Sequence, residues 1–260
     1  MPAKNSEEIL ASVQRRIVGG AAIARLDLEQ TARLMLDLAR AAPRVGRPLF
    51  LTSVNGEVLA RRRLDPAFAA LIDSADLISA DGQAMVFASR LFSRRSLPQR
   101  VATTDLYPTV ARMAQDEGVS FYLFGATEEA SLAAYEETRR RYPRLDLRGR
   151  SHGFLEGEAL ERKLDEINAL MPDILWLSLG VPLEQEFVRR CAHRLTNVKM
   201  IKTSGGLLDF VAGAKSRAPL WVQKAGFEWA YRLAIEPRRM FRRYLTTNPI
   251  ALYLLLRETR

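Results

Sequence analysis

The chain has 260 residues, of which 48% are hydrophobic and 27% charged, a composition typical of a globular protein with a sizeable core. The single cysteine, Cys191, excludes a disulfide framework and favours a reducing compartment, and the net charge of +9 indicates an anionic partner. Residues 1–14 lack the apolar segment of a signal peptide, and the apolar run at residues 250–256 is far below the ~18–20 residues that span a bilayer. We therefore expect a soluble or peripheral protein in the cytoplasm.

After residues 1–20, which we expect to form a frayed lead-in, apolar segments of strand length alternate with helical patterns. The predicted strands are 49–53, 76–79, 120–124, 145–148, 174–179 and 199–203. The predicted helices are 28–41, 66–74, 83–92, 106–117, 128–141, 156–170 and 183–195. This alternation predicts an α/β fold, namely a Rossmann-like parallel sheet with helices on both faces.

The alternation of strands and helices stops after Gly213, so we predict an α/β domain at residues 21–213 and a basic helical appendage at residues 214–260. Residues 217–260 hold nine basic residues against three acidic ones, and therefore carry six of the nine net positive charges. In segment 237–245 the apolar residues share one helical face and the arginines the other. Such a helix suits an anionic membrane surface, although a helix docked on the domain with solvated arginines is the alternative.

Polar residues and glycines follow several predicted strands at their carboxyl ends, where open α/β sheets bind their ligands. Ser53 and Asn55 can hold a sugar or a carboxylate, or can be ordinary turn residues. Asp81 can act as a general base if its surroundings raise its pKa, or can form an Asp-Gly turn or a helix cap. Gly205 and Gly206 can let a phosphate approach the backbone at a helix start, or can form a tight turn.

Several catalytic motifs are absent from the sequence. The lack of G-x-G-x-x-G and Walker A patterns argues against a dinucleotide oxidoreductase or a P-loop enzyme, and the lack of G-x-S-x-G weakens a hydrolase interpretation. His152 and His193 have no cysteine partners at zinc-ligand spacing. Because there is also no Asp-x-Asp pair, a diphosphate ligand would have to be neutralised by arginines and backbone N–H groups.

An ordered series of short motifs resembles the WecG/TagA/CpsF glycosyltransferases, also called glycosyltransferase family 26, over most of the chain. The motifs are 53–55 (Ser-Val-Asn), 80–82 (Ala-Asp-Gly), 100–106 (Arg-Val-Ala-Thr-Thr-Asp-Leu), 205–210 (Gly-Gly-Leu-Leu-Asp-Phe), 217–219 (Arg-Ala-Pro), 226–229 (Gly-Phe-Glu-Trp), 231–233 (Tyr-Arg-Leu) and 236–239 (Glu-Pro-Arg-Arg). Their order and spacing together, rather than any single motif, carry the resemblance.

The resemblance implies an inverting, metal-independent transferase without a cofactor. Its expected reaction moves a hexose from a UDP-sugar to a polyprenyl-diphosphate-linked sugar in bacterial exopolysaccharide or cell-surface glycan synthesis. Glucose, N-acetylmannosamine and its uronic acid are the implied donor sugars. The implied location is peripheral, at the anionic inner face of the cell membrane, without a nucleic-acid partner. Whether the chain assembles as a homo-oligomer stays open.

The resemblance also carries roles over to particular residues. These are Asp81 as the base, Arg100 and Arg239 in catalysis, and Ser53, Asn55, Gln185, Gly205, Gly206, Asp209, Arg232 and Arg242 in substrate binding. The family often reads Gly-x-Pro-Lys-Gln-Glu where residues 180–186 read Gly-Val-Pro-Leu-Glu-Gln-Glu, so either Gln185 or Glu184 fills the glutamine's role. Two alternative functions remain: a nucleic-acid-binding α/β protein, suggested by the charge, and a non-catalytic module that binds a UDP-sugar or a membrane.

Overall fold

The computed structural model describes residues 5–41, 46–219, 221–222 and 226–260, and of Arg239 it describes only the backbone. The strands in these ranges are β1 (Arg15–Val18), β2 (Ala21–Ala24), β3 (Leu49–Val54), β4 (Leu77–Ala80), β5 (Phe121–Gly125), β6 (Leu147–Ser151), β7 (Ile174–Ser178) and β8 (Met200–Thr203). The helices are α1 (Ser6–Ala11), α2 (Leu28–Arg40), α3 (Gly56–Leu64), α4 (Pro66–Asp73), α5 (Gln83–Phe92), α6 (Thr103–Glu117), α7 (Glu128–Arg141), α8 (Gly157–Leu170), α9 (Leu183–Cys191), α10 (Leu207–Val211), α11 (Glu228–Ile235) and α12 (Pro237–Arg257).

Strands β3 to β8 form one parallel sheet in the spatial order β4-β3-β8-β7-β5-β6. Successive side chains of a strand point to opposite faces, so a buried central strand contributes to two cores. Ile174 and Trp176 of β7 join the core that contains residues of α2 and α6, whereas Leu175 and Leu177 join the core with α8 and α9. The predicted α/β fold, with a Rossmann-like sheet covered on both faces, is confirmed.

Residues 5–20, which were expected to belong to a frayed lead-in, contain helix α1 and strand β1 of the fold, whereas residues 1–4 of that prediction lie outside the described residues. After α1, strands β1 and β2 pair as an antiparallel hairpin. Its turn is Gly19-Gly20, both with positive φ, a pair of residues that favours tight hairpin turns. Val18 and Ile23 are fully buried in a core shared with β4 and α3. The apolar runs on either side of the two glycines were the overlooked signal for this hairpin.

The C-terminal segment is helical, as predicted, but its last helix is joined closely to the domain. Leu254 and Leu255 of α12 are buried in the same core as the N-terminal hairpin. Beyond the helix, Gly20 N–H donates to Glu258 O at 2.9 Å, and the N–H of the last residue, Arg260, donates to Ile17 O at 3.0 Å. A separate basic appendage is therefore not confirmed, and the boundary at residues 213–214 stays a prediction. No helix in the described ranges has the length and apolar character needed to cross a bilayer.

The first turns of α12 depart from the simple two-faced helix that the sequence predicts. Met240 is buried, whereas Phe241 and Leu245, expected on the same apolar face, are exposed. On the opposite side Arg242 is exposed, while Arg243 pairs with Glu57 of α3 at 2.9 Å. In these first turns the helix therefore contributes Met240 and the Arg243–Glu57 ion pair to docking, and leaves Phe241 and Leu245 exposed to solvent.

Candidate active site

A cavity of about 2200 Å³ opens at the carboxyl ends of the sheet strands, and residues of α11 and α12 complete its wall. Among the residues predicted for the site, those that line the cavity are Ser53, Asn55, Asp81, Arg100, Gly205, Gly206, Asp209 and Arg232. Gln185 and Arg242 do not line it. The side chain of Arg239 lies outside the described residues. Folding thus brings together eight predicted residues that are spread over 180 positions of the sequence.

Asp81 lies directly after β4, and its backbone N–H donates to Val54 O at 2.9 Å. Helix α5 has Gly82 at its N-cap position and no side-chain cap, so the Asp81 carboxylate is not used as a helix cap. Burial raises the pKa of Asp81 to about 6, and the positive charges of Arg232 and Arg100 limit that rise. A carboxylate that titrates near neutral pH is well suited to act as a general base.

Ser53 and Asn55 lie at the end of β3, beside Asp81. Ser53 Oγ accepts a hydrogen bond from Lys202 Nζ at 2.9 Å and lies 3.4 Å from Thr103 Oγ1. Asn55 Oδ1 accepts from Val58 N–H at 3.1 Å and thereby caps α3. The Asn55 oxygen is therefore used in a helix cap, which was not predicted for this residue. Both side chains nonetheless line the cavity, so the Ser53 hydroxyl and the Asn55 NH₂ group can still contact a ligand.

The loop between β8 and α10 has a different geometry from the predicted phosphate cradle. Gly205 N–H donates to Glu184 Oε2 at 2.8 Å, so this donor already has a protein partner. Helix α10 spans only Leu207–Val211, too short to develop a strong dipole at its N-terminus. Asp209 pairs with Lys215 at the cavity wall. The structure thus gives the Gly205 backbone N–H a role in holding Glu184, which the sequence analysis did not foresee.

Glu184 rather than Gln185 faces the cavity. Glu184 lines the wall with 3% of its surface exposed, and burial raises the pKa of its carboxyl group. Gln185 is fully buried behind it, and Gln185 Oε1 has no hydrogen-bond partner among the described residues. Of the two residues left open by the sequence, Glu184 is the one that can reach a ligand.

Arg100 and Arg232 share one carboxylate at the edge of the cavity. Arg100 Nη1 donates to Glu228 Oε2 at 2.7 Å, and Arg232 Nη2 donates to Glu228 Oε1 at 2.9 Å. The neighbouring Arg217 donates to Asp105 at 2.5 Å. Glu228 therefore links a residue of the α/β domain to one of α11 and holds both guanidinium groups beside Asp81. Glu228 belongs to one of the family-like motifs, but the sequence analysis assigned it no role.

Among the C-terminal arginines, Arg232 lines the cavity and Arg242 is exposed outside it. Arg243, one position further along α12, lines the cavity instead and forms the ion pair with Glu57. The helical pattern alone placed Arg242 and Arg243 on the same polar face. Only the orientation in which α12 docks against α3 separates them.

Lys202 is a further residue beside the cavity that was not predicted from the sequence. It lies on the central strand β8, between Leu51 of β3 and Trp176 of β7, and is 1% exposed. Its Nζ donates to Ser53 Oγ at 2.9 Å and to Thr203 O at 2.8 Å. The available signal was a lysine inside an apolar strand, since lysine is almost never fully buried without a partner.

Exposed apolar side chains surround the mouth of the cavity. Those that also line its wall are Phe87, Phe154, Leu183, Phe227, Trp229, Ile235, Leu245 and Leu252. A group of this size on the surface of a protein often marks an interaction site. The cavity therefore combines charged residues in its interior with an apolar rim.

The chain belongs to the glycosyl transferase WecG/TagA/CpsF family, whose match covers residues 16–260. It is a glycosyltransferase. Over 212 residues, it is 30% identical to an N-acetylglucosaminyldiphosphoundecaprenol N-acetyl-beta-D-mannosaminyltransferase of Staphylococcus aureus strain MRSA252, a match that covers 82% of this chain and 81% of the relative. Proteins of the same name from strains NCTC 8325 / PS 47 and MW2 are 30% and 29% identical over the same length.

Proposed function

We propose that this chain transfers an N-acetylmannosaminyl group, or a closely related hexose, from a UDP-sugar to a sugar carried on a polyprenyl diphosphate. The names of the Staphylococcus aureus relatives support the sugar and the lipid-linked acceptor. The observation that carries the proposal is the position of Asp81, whose pKa of about 6 suits a base, beside the guanidinium groups of Arg100 and Arg232.

The proposed reaction is a single displacement at the anomeric carbon of the donor sugar. Asp81 takes the proton of the acceptor hydroxyl group. The oxygen of that hydroxyl group forms the new bond to the anomeric carbon. The bond between that carbon and the diphosphate oxygen breaks, and UDP leaves with the electron pair. Because attack and departure occur on opposite sides of the carbon, the configuration is inverted.

Positive side chains stabilise the departing diphosphate in this proposal. Arg100 and Arg232 line the same cavity as Asp81, and guanidinium groups bind phosphate oxygens with two parallel hydrogen bonds. Their charge would act where negative charge develops in the transition state. Ser53, Asn55 and Asp209, at the same wall, are proposed contacts of the donor, and metal-independent transfer stays a prediction.

The rim of the cavity supports a peripheral position at the inner face of the cell membrane. Aromatic side chains such as Phe227 and Trp229 are exposed there, and basic residues such as Arg242 lie close by in the sequence. Aromatic residues prefer the membrane–water interface, and arginines are attracted to anionic lipids. This position would bring the cavity to an acceptor that stays in the bilayer.

The test is a panel of UDP-sugars offered with a synthetic polyprenyl-diphosphate-linked N-acetylglucosamine, with release of UDP and formation of the disaccharide lipid both measured. The expected result is transfer from UDP-N-acetylmannosamine that requires the acceptor. Binding of UDP without transfer to any lipid-linked acceptor would contradict the proposal and favour a non-catalytic module. Binding to duplex DNA that weakens steeply with added salt would favour the nucleic-acid alternative.

A further inference from the structure

The charge of Lys202 lies in the interior of the sheet, although lysine side chains normally keep their ammonium group in water. Removing an ammonium group from water costs several kcal/mol, so a buried lysine is retained only where other groups compensate it. The residues that pair with it across the sheet, Leu51 and Trp176, are apolar and supply no such compensation. The groups that compensate the Lys202 charge must therefore lie near the carboxyl end of β8, where its ammonium group is located.

Two neutral oxygens bind the Lys202 ammonium group, and two carboxyl groups act on it electrostatically. Ser53 Oγ and Thr203 O accept its hydrogen bonds at 2.9 and 2.8 Å. The negative charges of Glu184 and Asp81 raise the pKa of Lys202, against the larger lowering caused by its burial. Lys202 thus lies beneath the cavity, bonded to a residue of its wall and in electrostatic contact with two others.

We propose that Lys202 is a positioning residue of the transferase site, whose ammonium group orients the Ser53 hydroxyl and places a buried positive charge beneath the cavity that Asp81 lines. The inference rests on the proposed function, because it assigns Lys202 a part in the proton transfer to Asp81. Lys202 itself exchanges no proton with the substrate and forms no bond to it.

Several charged groups act on Asp81, and Lys202 differs from the other cations in how it is held. The groups are Arg232 and Glu228 from α11, Arg100 from the loop before α6, Arg217, and Lys202 from β8, with Arg232 and Arg100 acting more strongly than Lys202. Arg100 and Arg232 share the carboxylate of Glu228, which offsets part of their charge. Lys202 is held by hydrogen bonds to Ser53 and Thr203 at the ends of sheet strands, so its position does not depend on how α11 docks.

Loss of the Lys202 charge should raise the pKa of Asp81 further, because one of the cations that favour its ionised form is removed. At neutral pH a larger share of Asp81 would then be protonated and unable to act as a base. In a Lys202→Met variant we therefore expect the acid limb of the kcat/KM profile for transfer to move to higher pH. Activity should recover in part at alkaline pH.

The matched control is Lys199→Met, at the other end of the same strand. Lys199 Nζ pairs with Asp173 Oδ1 at 2.9 Å, away from the cavity. Its loss should leave the pH profile of transfer unchanged. A Lys202→Arg variant keeps the positive charge, so its acid limb should stay at the wild-type pH.

A double variant distinguishes this role from a merely structural one. If Lys202 served only to balance Glu184, Lys202→Met combined with Glu184→Gln would remove both charges and restore the wild-type profile. Under the proposal the acid limb of the double variant stays displaced, since the cation near Asp81 is still missing. Because no unbalanced buried charge remains from this pair, the double variant should keep the wild-type melting temperature even where Lys202→Met unfolds.

The outcomes also separate this inference from the proposed function. Wild-type protein that transfers no sugar from any UDP-sugar would overturn the proposed function and this inference with it. If the wild-type protein is active, two results would each overturn the role of Lys202 alone. One is an acid limb that does not move in Lys202→Met, and the other is an acid limb that returns to the wild-type pH in the double variant. The role of Lys202 would be supported if the acid limb lies at higher pH in Lys202→Met and in the double variant but stays at the wild-type pH in Lys199→Met.

Discussion

The floor and the roof of the cavity hold their charges in different ways. The floor consists of Ser53, Asp81 and Glu184 with Lys202 beneath them, and the roof of Glu228, Arg232 and Arg243. Floor residues follow strands or face the strand ends, and Glu184 and Lys202 are almost fully buried. Roof side chains are more exposed, up to 44% for Arg232, and are held mainly by ion pairs.

This difference predicts different consequences of mutation. Charges removed from water interact strongly, and so they shift pKa values and determine protonation states. Partly exposed ion pairs contribute only about 0–1 kcal/mol to stability, because solvent screens them and ordering two long side chains costs entropy. We therefore expect the floor to supply the base, and the roof to stabilise the departing diphosphate and to depend on how α11 and α12 dock.

The largest effect is expected at Asp81 in the floor. Asp81→Asn removes the proposed base and should lower kcat for transfer by ~10²–10⁴. The melting temperature should not fall, because the substitution removes a carboxyl group whose ionised form is disfavoured by burial. Asp116→Asn, which changes an exposed residue paired with Arg144, is the control. A variant at Asp81 that keeps more than about a tenth of the activity would exclude it as the base.

A somewhat smaller effect is expected at Arg232 in the roof. Arg232→Ala should lower kcat by ~10²–10³ if its guanidinium acts on the departing diphosphate in the transition state. Arg242→Ala, ten positions further along the chain and outside the cavity, should change kcat far less in an assay with a short, water-soluble acceptor. Equal losses in the two variants would mean that the roof acts through its total charge and not through its geometry.

Docking of the roof should depend on the buried end of α12. Leu254→Ala should lower the free energy of unfolding by about 2–5 kcal/mol, because Leu254 is buried against α3 and the N-terminal hairpin. Leu256→Ala, at an exposed position of the same helix, should change it by less than about 0.5 kcal/mol. Urea unfolding of both variants measures the difference. Similar values would mean that α12 does not stabilise the domain.

The smallest effect is expected on the pH dependence of kcat/KM, which tests whether the roof influences Asp81 in the floor. Asp81 is protonated below its pKa of about 6, so kcat/KM should fall about tenfold for each pH unit below that value and level off above it. Arg232→Ala removes a roof cation that lowers the pKa of Asp81, and so its acid limb should lie at higher pH. An acid limb that stays at the wild-type pH in this variant would mean that the roof does not influence the base.

Local patterns predicted most of the fold and part of the site. The alternation of strands and helices follows from apolar periodicity, which is a property of neighbouring residues, and all six strands of the parallel sheet were predicted. Asp81, Ser53 and Asn55 were also found in this way, since the carboxyl ends of parallel strands meet at one edge. The N-terminal hairpin and α3 were missed because their apolar stretches are short.

The tertiary structure alone decided how charged residues meet across the chain. Lys202 reaches Ser53 over 149 positions, and Arg100 reaches Glu228 over 128. It also selected Glu184 over Gln185, and Arg243 over Arg242, as residues of the cavity wall. Residues one position apart carry nearly the same sequence signal, yet the angle at which a helix docks turns one toward the cavity and the other away. Periodicity determines which elements form, whereas long-range packing determines which of their side chains share an environment.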